Sequence, residues 1–233
     1  MRFLCLTITL SSLAAVGCSA TTSSRNIRTA GMVAQVDVTS EHAGQSRVDV
    51  DLVIGGSASN TYVVLEGGDT FKASAGGETK VMQATSDGEY EAKFPVSEGE
   101  FVISLERDED EPAPMSKGML PPPFEITSEF GADAISRTEP ITLTWTPANT
   151  DATVQIEIEG DCIISERFKV GGDPGTFTIA ADEYKAWKSK KDETCNVIAT
   201  ITRTTLGTTD PALDSDSHFR LHQVRTTRFV SGP

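Results

Sequence analysis

Two of the three histidines stand close together near the end of the chain, and histidine is the side chain best suited to proton transfer or zinc binding near neutral pH. They are His218 and His222, in a segment whose alternating apolar residues predict a strand. Four strand steps span about 13 Å, too far for both imidazoles to bind one zinc ion. The segment DSDSH, 214–218, also places serine, aspartate and histidine together, but acyl transfer further requires an oxyanion pocket. We therefore predict no catalytic residues.

Two short acidic stretches are the next candidates, because calcium takes six to eight oxygen ligands and prefers carboxylates. One contains Asp108 and Asp110, and the other contains Asp214 and Asp216. Neither stretch has the spacing of an EF-hand loop, and a solvated acidic loop is the alternative. We predict no metal site and no cofactor, and keep these four aspartates as the calcium candidates.

The bulk composition restricts the function further. The chain has 233 residues and a formal net charge of -14, and such an acidic surface repels nucleic acid, so we expect no nucleic-acid partner. Nucleophile-elbow, phosphate-loop and dinucleotide-binding motifs are absent from the sequence, which predicts that the protein is not an enzyme.

One local reversal of charge stands out in YKAWKSKK, 184–191, which contains four lysines. These are Lys185, Lys188, Lys190 and Lys191. They could contact the phosphates of an anionic lipid or lipopolysaccharide, or they could form the polar face of a short helix. In the second case Tyr184 and Trp187 would share the opposite face.

The N-terminus has the order of an export signal. A positive start at Arg2 is followed by a mostly apolar run over residues 3–16 and then by small residues. Ala15-Val16-Gly17-Cys18 resembles the lipobox of bacterial lipoproteins, in which an aliphatic and two small residues precede the lipidated cysteine. Alanine stands here where leucine is usual.

The lipobox resemblance implies that the signal peptide 1–17 is removed and that Cys18 carries diacylglycerol and a further acyl chain such as palmitate. Residues 18–28 would then form a polar tether, and more than one acyl chain gives stable anchoring. Ser19 in place of aspartate implies the outer membrane. The alternative is an ordinary secretory signal cleaved after Ala15 or Ala20.

The resemblance also bears on the four cysteines. If Cys5 leaves with the signal and Cys18 carries lipid, Cys162 and Cys195 remain as an even pair in an oxidising compartment. We therefore predict a Cys162–Cys195 disulfide. Two free thiols or a metal site are the alternatives, and a metal site would need more cysteine or histidine nearby.

Short runs of alternating apolar and polar residues, separated by turn residues, occupy most of the remaining chain. In RVDVDLVI, 47–54, every second residue is Val, Leu or Ile. Many such short strands predict an all-β sandwich or barrel. In the last run, the apolar phase slips between Leu221 and Val224, which predicts a β-bulge.

A change of composition divides the chain. The stretch RDEDEPAPMSKGMLPPPF, 107–124, contains four consecutive acids and then five prolines, and a proline run favours an extended, semi-rigid spacer. We predict a first β-sandwich domain at 29–107, an acidic and proline-rich linker at 108–123, and a second β-sandwich domain at 124–233.

The second domain resembles fibronectin type III and immunoglobulin-like sandwiches in the number and spacing of its strands and in Trp145 of ITLTWTP. This implies that Trp145 fills the core. It also implies that the strand ending near Cys162 and the strand beginning near Cys195 are antiparallel neighbours, where a disulfide fits. The first domain resembles the same class without a signature residue, and the whole chain resembles two-module surface lipoproteins of bacteria, delta-proteobacteria in particular.

We therefore predict a lipoprotein of the cell envelope with two tandem antiparallel β-sandwiches, anchored by lipid at the outer membrane. Its expected role is non-enzymatic binding, adhesion or structural support, with an envelope protein or a glycan as partner. The alternative is a carbohydrate- or ligand-binding accessory module, which would expose Trp187 or a Tyr62–Tyr90 pair. A hydrolase is less favoured and would need a pocket with convergent carboxylates and a histidine.

Overall fold

The computed structural model describes residues 20–233, and the predicted signal peptide and Cys18 lie outside that range. Within that range, 3-10 turns occur at Ser24–Asn26, Thr29–Gly31 and Lys188–Lys190. Among residues 20–233 no helix is both long and apolar enough to cross a bilayer. The strands are β1 Ala20–Ser23, β2 Val33–His42, β3 Gln45–Ile54, β4 Thr61–Val64, β5 Thr70–Ala75, β6 Glu78–Val81, β7 Gln83–Ser86, β8 Glu89–Phe94, β9 Gly99–Glu106, β10 Ala113–Leu120, β11 Glu125–Ile126, β12 Ile135–Ser136, β13 Ile141–Thr146, β14 Thr153–Gly160, β15 Glu166–Val170, β16 Thr176–Ile179, β17 Cys195–Leu206 and β18 His218–Gly232.

These strands form one large sheet and two small ones. The large sheet has the order β1-β4-β3-β2-β18-β17-β14-β15, with β7, β8 and β12 attached beside it, and the small sheets are β10-β9-β5-β6 and β11-β13-β16. The predicted all-β sandwich class is confirmed. The pairs β1–β4, β12–β18 and β2–β18 are parallel, where we expected antiparallel pairing.

Strand alternation builds two hydrophobic cores. In β3, the residues Val48, Val50 and Leu52 are buried while Arg47 is exposed, so one face of the strand packs inward. The first core lies between β2, β3, β8 and β18 on one side and β5, β9 and β10 on the other. The second lies between β14, β17 and β18 on one side and β13 and β16 on the other. Each core therefore sits between the large sheet and one small sheet.

The long strands β17 and β18 connect the two cores. They pair without interruption from Cys195 opposite Ser231 to Leu206 opposite Arg220. Phe219 lies in the first core and Phe229 in the second. Part of the predicted second domain thus packs with the first.

The predicted bulge between Leu221 and Val224 is wrong. The polar residue Gln223 takes the inward-facing position that alternation from Leu221 requires, so the strand continues without a bulge.

Gln223 is fully buried, and its amide nitrogen donates to the carbonyl oxygens of Ser97 at 2.5 Å and Pro121 at 3.1 Å. The predicted linker 108–123 differs from the structure here. Its residues Ala113–Leu120 form β10, which pairs with β9, and the carbonyl oxygens of Pro121 and Pro122 accept from Gln223 and Arg203 of the large sheet. The segment is therefore part of the sandwich, because β10 pairs within a sheet and the carbonyl oxygens that follow it accept from buried donors.

The predicted polar tether also differs from the structure over residues 20–28. β1 pairs with β4, and the fully buried Ser24 donates to Asp69 at 2.6 Å. The Arg107 guanidinium donates to the carbonyl oxygens of Ser24 at 2.9 Å and Ile27 at 3.1 Å. Arg107 also forms a buried ion pair with Asp69 at 2.9 Å. These bonds hold the N-terminal segment against the part of the molecule around the first core, which we call the first half.

A second buried ion pair lies next to the second core, where it contacts Trp145. Arg203 and Asp173 have fully buried side chains with an N–O distance of 3.0 Å. Asp173 also accepts from Trp145 Nε1 at 2.7 Å and from Thr150 Oγ1 at 2.6 Å. Burial raises the pKa of Asp173, but the hydrogen bonds from Thr150 and Trp145 and the charge of Arg203 outweigh it, so that the pKa lies below its usual value. Trp145 is buried as expected and is oriented by a charge.

Candidate functional site

The disulfide predicted from the sequence is present. Cys162 follows β14 and Cys195 opens β17, and these strands pair antiparallel with Gly160 opposite Val197. The two α-carbons are 5.8 Å apart, a usual distance for a disulfide. The bond links the start of β17 to the segment that follows β14, at the end of the large sheet that faces away from β1.

The segment 180–194, which we call the Trp187 loop, leads into this disulfide. Tyr184 is buried and packs edge-on against Phe229 of the second core, with ring centroids 6.3 Å apart. Ile163 forms a backbone bridge with Ala186, and the amide of Trp187 donates to the carbonyl of Cys162 at 3.3 Å. Side-chain packing and backbone bonding both hold the loop on the Cys162 segment.

Arg137 fastens the other arm of the Trp187 loop. Its buried guanidinium donates to the carbonyl oxygens of Lys191 at 3.0 Å and Glu193 at 2.6 Å, and to Cys162 Sγ at 3.1 Å. A charged donor bound to two carbonyls is a strong restraint on a loop. The loop is therefore held by a core aromatic, a disulfide and a buried arginine.

The outward side of the loop presents one large aromatic and several lysines. Trp187 is 50% exposed, whereas Tyr184 is 1% exposed. The interpretation that these two rings share a helix face is therefore wrong, because only a short 3-10 turn forms, at Lys188–Lys190. Within residues 20–233 the other exposed large apolar side chains are Val81, Met115, Met119, Ile198 and Leu206. Tryptophan differs from these in contributing strongly to binding where it is found at interfaces.

Two of the four lysines of the loop have polar partners. Lys190 donates to the carbonyl of Asp161 at 2.9 Å, and Lys191 lies 3.9 Å from the exposed carboxylate of Asp192. Within residues 20–233, Lys185 and Lys188 have no ion-pair partner. The carboxylate of Glu183 is occupied by the amide of Ala180 at 2.8 Å. The loop also contains four acids, Asp182, Glu183, Asp192 and Glu193, so its formal net charge is zero although it interrupts an acidic chain with lysines.

The calcium candidates are used by the chain itself. Asp108 accepts from the amide of Gly68 at 2.8 Å, and Asp110 accepts from the amide of Thr29 at 3.1 Å. Asp214 accepts from the amide of its neighbour Asp216 at 2.9 Å. Over residues 20–233, no group of three or more metal-binding side chains is arranged to hold an ion. The carboxylates of Asp108, Asp110 and Asp214 thus accept hydrogen bonds from backbone amides of the chain.

The structure joins His222 to a carboxylate and a hydroxyl that the sequence did not suggest. His222 Nε2 lies 3.1 Å from Asp37 Oδ1, and its Nδ1 lies 2.9 Å from Thr204 Oγ1. Arg220 donates to both carboxylate oxygens of Asp37. Burial raises the pKa of Asp37, but the hydrogen bonds and charges of His222 and Arg220 outweigh it, so that the pKa lies below its usual value.

This hydroxyl–imidazole–carboxylate chain has the connectivity of a nucleophile, a base and an orienting acid. Thr204 lies within β17, between β14 and β18, and pairs with Thr153 and His222. The backbone amides around it are therefore committed to the sheet ladders, whereas an oxyanion pocket needs free donors. We interpret the hydrogen bonds from Thr204 through His222 to Asp37 as structural bonds that join the strands β17, β18 and β2.

An open cavity of about 490 Å³ lies at the end of the first half that faces away from β1. Its lining includes His42, Glu41 and Glu78, the residue types that would favour a hydrolase. Glu78 pairs with Lys80 at 3.2 Å, and no hydrogen bond within residues 20–233 joins His42 to either carboxylate. The cavity thus lacks an assembled base and carboxylate.

The other aromatic candidate, the Tyr62–Tyr90 pair, is not an exposed platform. Tyr90 is buried against Phe71, with ring centroids 5.3 Å apart, and its hydroxyl accepts from the amide of Leu65 at 2.8 Å. Of the two aromatic features named from the sequence, only Trp187 is exposed. The Trp187 loop is therefore the strongest candidate for a binding surface.

Comparison with solved structures gives remote similarities. The chain is similar to a two-domain fibronectin type III segment of chicken tenascin at 10% identity, over 83% of this chain and 99% of that chain, with a TM-score of 0.25. It is similar to the human OSCAR ligand-binding domain at 8% identity, over 86% and 97%, with a TM-score of 0.26. TM-scores of this size support no statement about function. No protein-family model matches the sequence, and no curated protein matches it.

Proposed function

We propose that this protein is a lipid-anchored binding module of the bacterial cell envelope, located at the outer membrane and without enzymatic activity. The observation that carries the binding role is the Trp187 loop, which is held by three independent restraints and yet exposes its tryptophan. Half of the Trp187 surface is not buried in its own molecule and is available to bury surface on a partner. The partner is an envelope protein or a glycan.

An anchor at Cys18 and a binding surface at the Trp187 loop would lie at opposite ends of the large sheet. β18 begins beside β2, at the end where β1 and β4 pair, and it ends beside Cys195. Fourteen strand residues between these ends correspond to about 40 Å. Lipid on Cys18 would be only two residues from β1, within about 7 Å of it. The first half would then lie against the membrane, with the Trp187 loop pointing outward.

Intact-mass measurement of the native chain tests the anchor. We expect a chain that begins at Cys18 with the added mass of three acyl groups and the glycerol, and a Cys18→Ser variant without that mass that leaves the membrane fraction. A native chain that begins after Ala15 or Ala20, or at Met1, without lipid would contradict the anchor.

Binding of the detergent-solubilised full chain to isolated envelopes tests the binding role separately. We expect saturable binding that Trp187→Ala reduces at least tenfold, since tryptophan contacts at interfaces contribute about 2 kcal/mol or more. Lys169→Gln is the matched control, because Lys169 is exposed on β15 outside the loop. Equal binding by Trp187→Ala and wild type would contradict the assignment of the loop.

A carbohydrate-binding accessory role is the second candidate, and the exposed Trp187 specifically favours it. A flat indole ring can cover the apolar face of a sugar ring while the ring nitrogen remains hydrated. Among the aromatic residues named from the sequence, this is the one available for such stacking.

A further inference from the structure

We propose that the Cys162–Cys195 disulfide is exchangeable: an external dithiol opens it by attack on Cys195, and Cys162 leaves as a thiolate held by Arg137. The two cysteines lie in different surroundings. Cys162 is fully buried, whereas Cys195 is partly exposed at the start of β17. The Arg137 guanidinium donates to Cys162 Sγ at 3.1 Å. A buried positive charge therefore already contacts the sulfur that would become negative.

Arg137 differs from the other fully buried arginine, Arg203, in its lack of a counterion. Arg203 pairs with Asp173 at 3.0 Å. Within residues 20–233, Arg137 has no ion-pair partner, and its Nε makes no hydrogen bond. A buried charge without a counterion costs several kcal/mol of desolvation free energy that nothing offsets. The thiolate of Cys162 would supply that counterion.

The titratable side chains near Cys162 supply no competing negative charge. Burial raises the pKa of Tyr184, which the charge of Arg137 lowers only in part, so the Tyr184 hydroxyl stays neutral at neutral pH. Lys190 adds positive charge, since it donates to the carbonyl that precedes Cys162 at 2.9 Å. The carboxylates of this region belong to exposed residues and form no ion pair with Arg137 within residues 20–233; they are Glu139, Asp161, Asp182 and Glu193.

The exchange takes two balanced steps. One thiolate of the dithiol attacks Cys195 Sγ and forms a mixed disulfide, while the bond to Cys162 breaks and its electron pair goes to Cys162 Sγ. The second thiol of the dithiol loses its proton to solvent, attacks the dithiol sulfur of the mixed disulfide and expels Cys195, which takes a proton from water. The dithiol is oxidised to a disulfide and the cystine is reduced by two electrons.

Arg137 favours this direction of exchange. Contact with a cation lowers the pKa of a thiol, and a thiol of lower pKa leaves faster from a disulfide. Stabilisation of the reduced form also shifts the equilibrium away from the disulfide, so that milder reductants can open it. Attack on Cys195 is favoured for a second reason, because Cys162 is inaccessible to solvent.

The same guanidinium links the disulfide to the Trp187 loop. Arg137 donates to the carbonyl oxygens of Lys191 at 3.0 Å and Glu193 at 2.6 Å, and these bonds do not require the disulfide. Opening the bond therefore removes one of the three restraints on the loop and leaves Arg137 and Tyr184 in place. The reduced chain should stay folded, so that an oxidised dithiol can close the bond again.

Equilibration of the detergent-solubilised full chain with mixtures of reduced and oxidised dithiothreitol measures how readily the bond opens. Samples are quenched with acid, and free Cys162 and Cys195 are counted from the masses of their alkylated peptides. We expect the equilibrium for Arg137→Gln to lie at least tenfold further toward the disulfide, because the reduced state loses its ion pair. The control Arg167→Gln, at an exposed arginine on β15, should change it less than twofold.

Two further measurements do not depend on whether Arg137→Gln folds. The far-ultraviolet thiolate absorbance of Cys195→Ser, with Cys162→Ser/Cys195→Ser as the blank, gives the pKa of Cys162. This pKa should lie below the ordinary value of about 8.5, although burial by itself would raise it. Brief treatment of wild type with glutathione should place the mixed disulfide on the peptide that contains Cys195.

Three results would overturn the proposal. A pKa of Cys162 at or above about 8.5 would show that Arg137 does not stabilise the thiolate. Glutathione found on Cys162 would show that the direction of attack is wrong. An equilibrium for folded Arg137→Gln equal to that of wild type would show that the arginine only holds the loop.

Discussion

The buried Arg203–Asp173 pair gives the most quantitative prediction, for the substitution Asp173→Asn. Both side chains are fully buried, and Asp173 accepts hydrogen bonds from Arg203, Trp145 and Thr150. The substitution keeps the volume but leaves the Arg203 charge without a counterion in the core. Breaking a buried pair in this way costs about 3–5 kcal/mol. We expect a loss in this range, a large share of the roughly 5–15 kcal/mol that stabilises a typical domain.

Urea denaturation followed by tryptophan fluorescence measures this loss, because Trp145 contacts Asp173 directly. With a slope of about 2–3 kcal/mol/M, the midpoint should fall by roughly 1–2 M. The double variant Arg203→Met/Asp173→Asn removes both charges, and replacing a buried pair by neutral groups is often tolerated. The double variant should therefore lose less than the sum of the two single losses, and the difference measures their coupling.

The exposed pair Arg167–Glu157 is the control, since its side chains are 59% and 29% exposed at an N–O distance of 2.9 Å. Glu157→Gln should cost less than about 1 kcal/mol. If Asp173→Asn cost no more than Glu157→Gln, or if the single losses simply added, the buried pair would not have the role that we assign to it.

Three further predictions concern stability. Replacing both Cys162 and Cys195 with serine should lower the free energy of unfolding by about 3–4 kcal/mol, as expected for closure of a loop of this size. Hydrogen exchange should also rise in the Trp187 loop. Unchanged exchange would show that Arg137 and Tyr184 hold the loop without the disulfide. Burial and then the charges of Glu89, Asp37 and Asp49 raise the pKa of Asp51, so ionisation of Asp51 opposes folding once the pH exceeds its unfolded pKa. Asp51→Asn should therefore increase the free energy of unfolding by less than about 1 kcal/mol at pH 7. In thermal melts this gain should vanish near pH 3. The pKa of Asp37 is lowered, so its contribution to the free energy of unfolding is present above its unfolded pKa and is lost as the pH falls through the folded pKa. Asp37→Asn should destabilise the protein at pH 7 and have no effect in strong acid. An equal effect at both pH values would contradict the bonds of Asp37 to His222 and Arg220.

The local pattern of the sequence predicted much of the fold because alternation records which face of a strand is buried. Val48, Val50 and Leu52 alternate in the sequence and in the structure. The pairing of Cys162 with Cys195 was predicted by elimination, since these two cysteines remain once Cys5 is assigned to the signal and Cys18 to the lipid. The alternation depends on neighbouring residues, and a sequence displays it directly.

Features that depend on distant partners escaped the sequence. Ser24 looks like part of a polar tether until Asp69 and Arg107 are brought to it. Gln223 breaks an apolar pattern, and only the carbonyls of Ser97 and Pro121 explain its burial. Proline composition predicted a spacer, but strand pairing with β9 decided the conformation of Ala113–Leu120.

The candidate site was predicted in part. The lysine cluster and the possible exposure of Trp187 are visible in the sequence, but the separation of Trp187 from Tyr184 is not, because it depends on Phe229 drawing Tyr184 into the core. The contact of His222 with Asp37 could not be predicted, since 185 residues separate them and a parallel β2–β18 pairing brings them together.

Binding of the full chain to envelopes from cells that lack it tests the central claim most directly, with Trp187→Ala and Lys169→Gln compared at equal concentration. We expect the tryptophan variant to bind at least tenfold more weakly than wild type and the lysine control to bind like wild type. Equal recovery of all three chains would contradict a binding module that acts through the Trp187 loop.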